Sequence, residues 1–261
     1  GLTNGTSYTF AVAPTNAIGT GPAATSNAVT PAAPTLTASV TIADKVFDGS
    51  TAATVTACTL SPASAGVTCD TTAATAAFNT ADAGTSKSVS VTGLALAGAN
   101  AGNFVLASTS ATGTAAITPA SSTTTITCPA NVTFSGNALT PCTAAVTGAG
   151  GLNTTATVTY ANNTNAGTAT ANASYAGDAN HTASTATQAT FTIDKATSST
   201  TITCPASVAY TGAAQTPCTA AVTGAGGLNT TATVTYANNT NVGTATANAT
   251  YAGDANHLGS T

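Results

Sequence analysis

The chain has 261 residues, of which 4% are charged: three lysines, no arginine, seven aspartates and no glutamate, for a net charge of −4. A protein without a basic face is a poor partner for nucleic acid or for an anionic membrane surface. The scarcity of Glu, Lys, Arg, Met and Leu disfavours long helices, and no apolar run approaches the length that crosses a membrane. What remains is Ala, Thr, Gly, Ser, Asn and Val, the composition of short strands joined by polar turns.

The first segment, residues 1–31, reads GLTNGTSYTFAVAPTNAIGTGPAATSNAVTP. It has no basic stretch leading into an apolar one, so it is not read as a signal peptide. The alternation of Tyr8, Phe10 and Val12 predicts a half-buried strand, and NAIGTGP predicts the turn that follows it. Leu2, Tyr8, Phe10, Val12, Asn16, Gly19 and Gly21 together resemble the last two strands of a bacterial fibronectin type III domain. That resemblance implies that Tyr8 is the corner tyrosine before the penultimate strand. Pro31 to Pro34, PAAP, reads as a short stiff linker.

Residues 35–119 carry strand-like runs LTASVTI, ATVTACTL, GVTCDTT, SKSVSVTGLAL and NFVLAS. The stretches KVFDGSTAATVTACTL and AGANAGNFVL resemble the YDG repeats of large bacterial surface proteins, with Phe47 in the place of the usual tyrosine. Phe47-Asp48-Gly49 reads as an aromatic anchor followed by a turn, in preference to a ligand site at Asp48.

From Ser121 onward the chain repeats itself. The 26 residues Thr140 to Asn165 return letter for letter at Thr216 to Asn241, an offset of 76, and Ser121 to Thr185 differs from Thr197 to Thr261 at 12 of 65 positions. This is duplication of a whole module. Repeat 1 spans 121–196; repeat 2 spans 197–261 and has no counterpart of the closing strand ATQATFTIDKA. Runs such as NVTF, CTAAVT, TTATVTY and AGTATANASY alternate with the turns GAGG, NNTN and AGDAN, and Tyr160 and Tyr175 close two strands of a predicted hairpin. The motif Tyr-x-Gly-Asp-x-Asn at Tyr175 to Asn180, with FSGNALTPC and FTIDKA, resembles the bacterial Ig-like repeats called MBG and group 3 Ig-like. His181 and His257 stand where those families often have an aromatic residue, which implies aromatic-like packing or a solvent position. The expected fold class is therefore all-β: tandem Ig-like β-sandwich modules in an elongated array.

The six cysteines fall into local pairs, Cys58 with Cys69, Cys128 with Cys142 and Cys204 with Cys218, at separations of 11, 14 and 14. Local disulfides are expected over free thiols or a metal site, since there is no CxxC and the histidines lie far along the chain. Modules of this size bury little surface, so a staple in each is the expected remedy. Disulfides also point to an extracellular or cell-surface location.

No catalytic residue is expected, because both histidines occupy one position of a repeated turn and the cysteines look paired. The aspartates stand singly, so Asp178 and Asp254 read as turn residues and no metal or other cofactor is expected. Lys45, Lys87 and Lys195 are candidates for Lys-Asn cross-links of the kind found in some surface modules. Asn153, Asn162 and Asn229 are among the glycosylation sequons. The expected function is a non-catalytic structural or adhesive segment of a large bacterial surface or filament protein, its modules acting as spacers. The alternatives are a self-assembling filament subunit with strands exchanged between chains, and a carbohydrate-binding module. Expected partners are neighbouring modules, copies of the same chain, and surface or matrix glycans. Ligand-binding residues are unknown at this stage.

Overall fold

The structure, a computed structural model, describes residues 1–261. It is all-β, with many small sheets and three single-turn 3-10 helices, Ala101–Asn103, Ala149–Gly151 and Ala225–Gly227. The residues fall into two compact units, one of Gly1–Ala120 with Ala179–His181, the other of Ser121–Asp178 with Thr182–Thr261.

In the first unit, residues 1–31 form only two-residue ladders, Ala11–Val12 with Ala24–Thr25 and Thr15–Asn16 with Gly19–Thr20. The expected strand around Tyr8, Phe10 and Val12 is therefore shorter than the alternation predicts. Two strands offer no second layer to cover an apolar face, so Phe10, Val12, Ile18 and Val29 stay exposed. The Asn16 carboxamide accepts from the Ile18 and Gly19 N–H groups and closes the predicted turn. The Tyr8 hydroxyl accepts from the Thr3 N–H at 2.8 Å, a bond back to the upstream backbone.

The 35–119 segment holds a four-stranded sheet ordered Lys45–Val46, Ser110–Thr118, Gly84–Thr92, Thr75–Phe78 and a three-stranded sheet ordered Val105–Leu106, Thr35–Ile42, Val55–Ser61. Alternation places Val89, Val91, Ala115 and Ile117 on one face, where they pack with Ile42, Phe47, Phe78 and Leu94. Polar Thr and Ser occupy the other face. Burial of such aliphatic side chains contributes on the order of 1.5–3 kcal/mol each.

In the second unit, repeat 1 pairs Ser122–Thr127 with Thr143–Gly148 and that strand with Asn153–Thr155. A second sheet is ordered Asn131–Thr133, Ala189–Asp194, Gly167–Tyr175, Val158–Ala161. The predicted hairpin is present: Tyr160 stands opposite Ala171, and Asn162 takes the left-handed conformation, φ 57°, that asparagine tolerates in turns. The core is slim, Phe134, Phe191 and Ile193 filling it among alanines. Repeat 2 reproduces the first sheet as Ser198–Thr203, Thr219–Gly224 and Leu228–Thr231, and pairs Val234–Ala237 with Thr246–Ala249. Ser207 to Ala209 form no strand where repeat 1 has Asn131–Thr133.

Three disulfides join Cys58 to Cys69, Cys128 to Cys142 and Cys204 to Cys218, with Cα atoms 5.7, 4.3 and 4.3 Å apart. In each repeat a tyrosine holds the second cysteine: Tyr160 Oη accepts from the Cys142 N–H and donates to its carbonyl, and Tyr236 does the same at Cys218. The amphiphilic ring thus packs inward while its hydroxyl satisfies backbone that the crosslink leaves without a ladder partner.

Candidate functional site

The residues with chemistry to offer do not gather in one cleft. No group of three or more His, Cys, Asp or Glu is placed to hold a metal ion. Lys45 donates to the Ser50 and Ala52 carbonyls and pairs with Asp48 at 2.7 Å. Lys87 bonds Thr80 Oγ1, and Lys195 bonds the Asp254 carbonyl. None of these partners is an asparagine, the residue a Lys-Asn cross-link needs.

Asp48 accepts from the Ser50 N–H and hydroxyl, which makes it a turn residue. The Lys45 ammonium, followed by those Ser50 bonds, lowers its carboxyl to about 2. Asp254 is held well below the usual carboxylate range, first by the Tyr251 hydroxyl and then by the N–H groups of Asn256 and His257 and the His257 ring. The turn reading of Asp254 therefore has a physical content: one carboxylate organises the loop from Tyr251 to His257.

What the structure does bring together is a docking contact built twice from the same parts. In the first unit, the Asn180 carboxamide accepts from the Ala83 N–H at 2.7 Å and donates to Asp82 Oδ1 at 3.1 Å. Its backbone carbonyl accepts from the Ala120 N–H, and His181 bridges to Ala120 in parallel register. His181 is 6% exposed and meets the Phe47 ring edge-on, 5.2 Å between centroids.

In the second unit, Asn256 accepts from the Ala166 N–H at 2.9 Å and donates to Asn165 Oδ1 at 3.2 Å. Its carbonyl accepts from Ala196, which bridges to His257. His257 is 5% exposed and meets Phe134 edge-on at 5.3 Å. Edge-to-face rings of this kind contribute about 0.5–1.5 kcal/mol beyond their burial.

The acceptor aromatic sits in an aromatic-x-Gly triplet at Phe47-Asp48-Gly49 and Phe134-Ser135-Gly136, matched in repeat 2 by Tyr210-Thr211-Gly212; the same pattern also occurs at Tyr175-Ala176-Gly177 and Tyr251-Ala252-Gly253. In the first three the glycine has positive φ, 80°, 86° and 77°. The turn lets Gly136 approach Gly226 so closely that a Cβ on Gly136 would stand 2.2 Å from the Gly226 Cα. Phe47 was legible as an anchor. Its partner was not, because the histidine that meets it lies in a turn far downstream.

The aromatic-like packing expected of the histidines holds, with one addition. Both nitrogens of His257 face acceptors: Nε2 lies 2.9 Å from the Ala225 carbonyl oxygen and Nδ1 2.9 Å from Asp254 Oδ1. Only the imidazolium can donate to both. The Ala225 bond, aided by Asp254 and opposed by burial, raises the His257 pKa above its ordinary 6.5.

The arrangement can hold modules in register. Among known families, residues 30–113 match the YDG domain. No curated protein and no solved structure matches the chain.

Proposed function

We propose that this chain is a non-catalytic structural or adhesive segment of a large bacterial surface or extracellular protein, built from Ig-like modules that act as spacers. The carrying observation is the docking contact made twice with the same chemistry, a carboxamide fork and an imidazole edge on an aromatic ring. A connector copied along with each module is what a chain selected for reach requires, since stability then depends on each unit and its neighbours. The match of residues 30–113 to the YDG domain and the three disulfides support the same reading and an oxidising location. Small-angle X-ray scattering of the native chain tests it: a maximum dimension well beyond that of a compact particle of 261 residues is expected, and a compact particle overturns it.

A sugar-binding role has less support: the chain has no tryptophan, and Phe47, Phe78, Phe134 and Phe191 are spent in the cores.

A further inference from the structure

Repeat 1 and the 35–119 segment send the chain along the same route. In repeat 1 the entering strand Ser122–Thr127 pairs antiparallel with Thr143–Gly148 in one sheet, and the chain then crosses to the other, where Asn131–Thr133 runs parallel to the closing strand Ala189–Asp194. In the 35–119 segment Thr35–Ile42 pairs antiparallel with Val55–Ser61, and Lys45–Val46 then runs parallel to the closing strand Ser110–Thr118. Across the parallel pair of repeat 1 the Thr192 N–H donates to the Ala130 carbonyl at 3.0 Å and the Phe134 N–H to the Asp194 carbonyl at 2.9 Å. The register leaves the Val132 N–H and carbonyl to fill the rungs between them. The Asn131 carboxamide adds a side-chain bond to Asp194 Oδ2 at 2.6 Å. In the earlier segment the Phe47 N–H donates to the Thr118 carbonyl at 2.8 Å, and the Thr118 hydroxyl donates to the Lys45 carbonyl at 3.4 Å.

Tension along a tandem chain loads each module at its own first and last strands. Two parallel strands are then drawn in opposite directions along their length, one from its N-terminal end and the other from its C-terminal end, so every rung between them stretches at once. A hairpin loaded at its open end parts one rung at a time. The antiparallel entry strand of repeat 1 offers no way round the parallel pair, because stripping Ser122–Thr127 from Thr143–Gly148 ends at the crosslink of Cys128 to Cys142, which stands directly after Thr127 and directly before Thr143. Tyr160, on a strand of the second sheet, fastens the Cys142 end of that crosslink. Load that enters repeat 1 is thus delivered to Asn131–Thr133.

We propose that the parallel pair of Asn131–Thr133 with Ala189–Asp194, like that of Lys45–Val46 with Ser110–Thr118, is a mechanical clamp that carries tension along the chain. The inference deepens the spacer reading above and rests on it, since only a chain held at both ends bears load. What the clamp sets is the rate of unfolding under load, which governs forced unfolding, and not the equilibrium stability of the module.

Force-clamp spectroscopy of the full chain, tethered by its two ends with the disulfides intact, tests the clamp. The event of repeat 1 is identified by its length, which grows by about 45–50 Å when Cys128 and Cys142 are both replaced by alanine and the loop of 14 residues is freed. Asn131→Ala removes the side-chain bond of the clamp; Gln188→Ala removes a comparable bond, from Gln188 to Asn172, at the start of the closing strand on its antiparallel side. Both residues are exposed, so both variants fold. The two are expected to unfold at similar rates in denaturant without load. Under constant load Asn131→Ala shortens the lifetime of repeat 1 by about fivefold, whereas Gln188→Ala leaves it unchanged. Val132→Pro, which takes a rung from the ladder itself, shortens it further. Equal lifetimes of the Asn131→Ala and Gln188→Ala chains under load overturn the clamp, and an extended particle in scattering then leaves the spacer reading standing without it. A lifetime that depends on Asn131 in a chain that scatters as a compact particle supports the clamp and overturns the spacer reading.

Discussion

His257 is the residue at which packing and titration meet. Its folded-state pKa lies above the ordinary 6.5, so the stabilisation it brings is fully present below pH 6.5 and is lost as pH rises through the raised value. Asp48 runs the other way: lowered to about 2 from an ordinary 3.8, it contributes stability that is present above 3.8 and lost as pH falls toward 2. Thermal unfolding scanned over pH is therefore expected to show a maximum between those limits. His257→Gln should flatten the alkaline side, and Asp48→Asn should reduce the acid side, where Asp254, also held low and bonded to His257, contributes the remainder. Asn256 carries the fork: Asn256→Ala leaves the Ala166 N–H without its acceptor and should cost roughly 1–3 kcal/mol, read as a lower melting temperature of the second unit.

Turns and staples set the elements. Gly136 and Gly212 occupy the same position of the two repeats with nearly the same φ, 86° and 77°, yet a Cβ meets backbone at 2.2 Å in the first and only the Tyr210 hydroxyl, at 3.9 Å, in the second. Both glycine-to-alanine changes carry a conformational cost of about 1–2 kcal/mol. Only Gly136→Ala adds a clash, of the order of 1–3 kcal/mol, so it should destabilise distinctly more than Gly212→Ala in denaturant titration. Replacing Cys128 and Cys142 together by alanine opens a loop of 14 residues and should remove about 3 kcal/mol.

The strands of 35–119 and of the repeats were readable because Val89, Val91, Ala144, Val146, Phe191 and Ile193 alternate with Thr and Ser. The segment 1–31 was less so: Tyr8, Phe10 and Val12 alternate just as well, but alternation encodes a face and says nothing of whether a second layer covers it. The local disulfides could be read from spacing, while the tyrosine hydroxyl at each second cysteine could not, since its partner is backbone. The docked turn escaped for the same reason: the carboxamide of Asn256 reads an N–H and an oxygen that any residue could have provided.

At the scale of the molecule, the account is of a chain whose modules carry their own connector. The aromatic-x-Gly triplet receives, and the Asp-Ala-Asn-His turn inserts. The Asp-Ala-Asn-His turn recurs unchanged between the repeats, whereas six of the 12 differences fall around the receiving triplet, at Asn131, Thr133, Phe134, Ser135, Asn137 and Leu139 against Ser207, Ala209, Tyr210, Thr211, Ala213 and Gln215. If the connector is real, its two halves must be energetically coupled. A double-mutant cycle of Phe134→Leu and His257→Gln, measured by equilibrium unfolding of the second unit, tests this most directly. A coupling energy of about 0.5–1.5 kcal/mol is predicted. Strict additivity of the two changes would contradict the account, leaving the ring contact incidental and the Asn256 fork to tie the repeats.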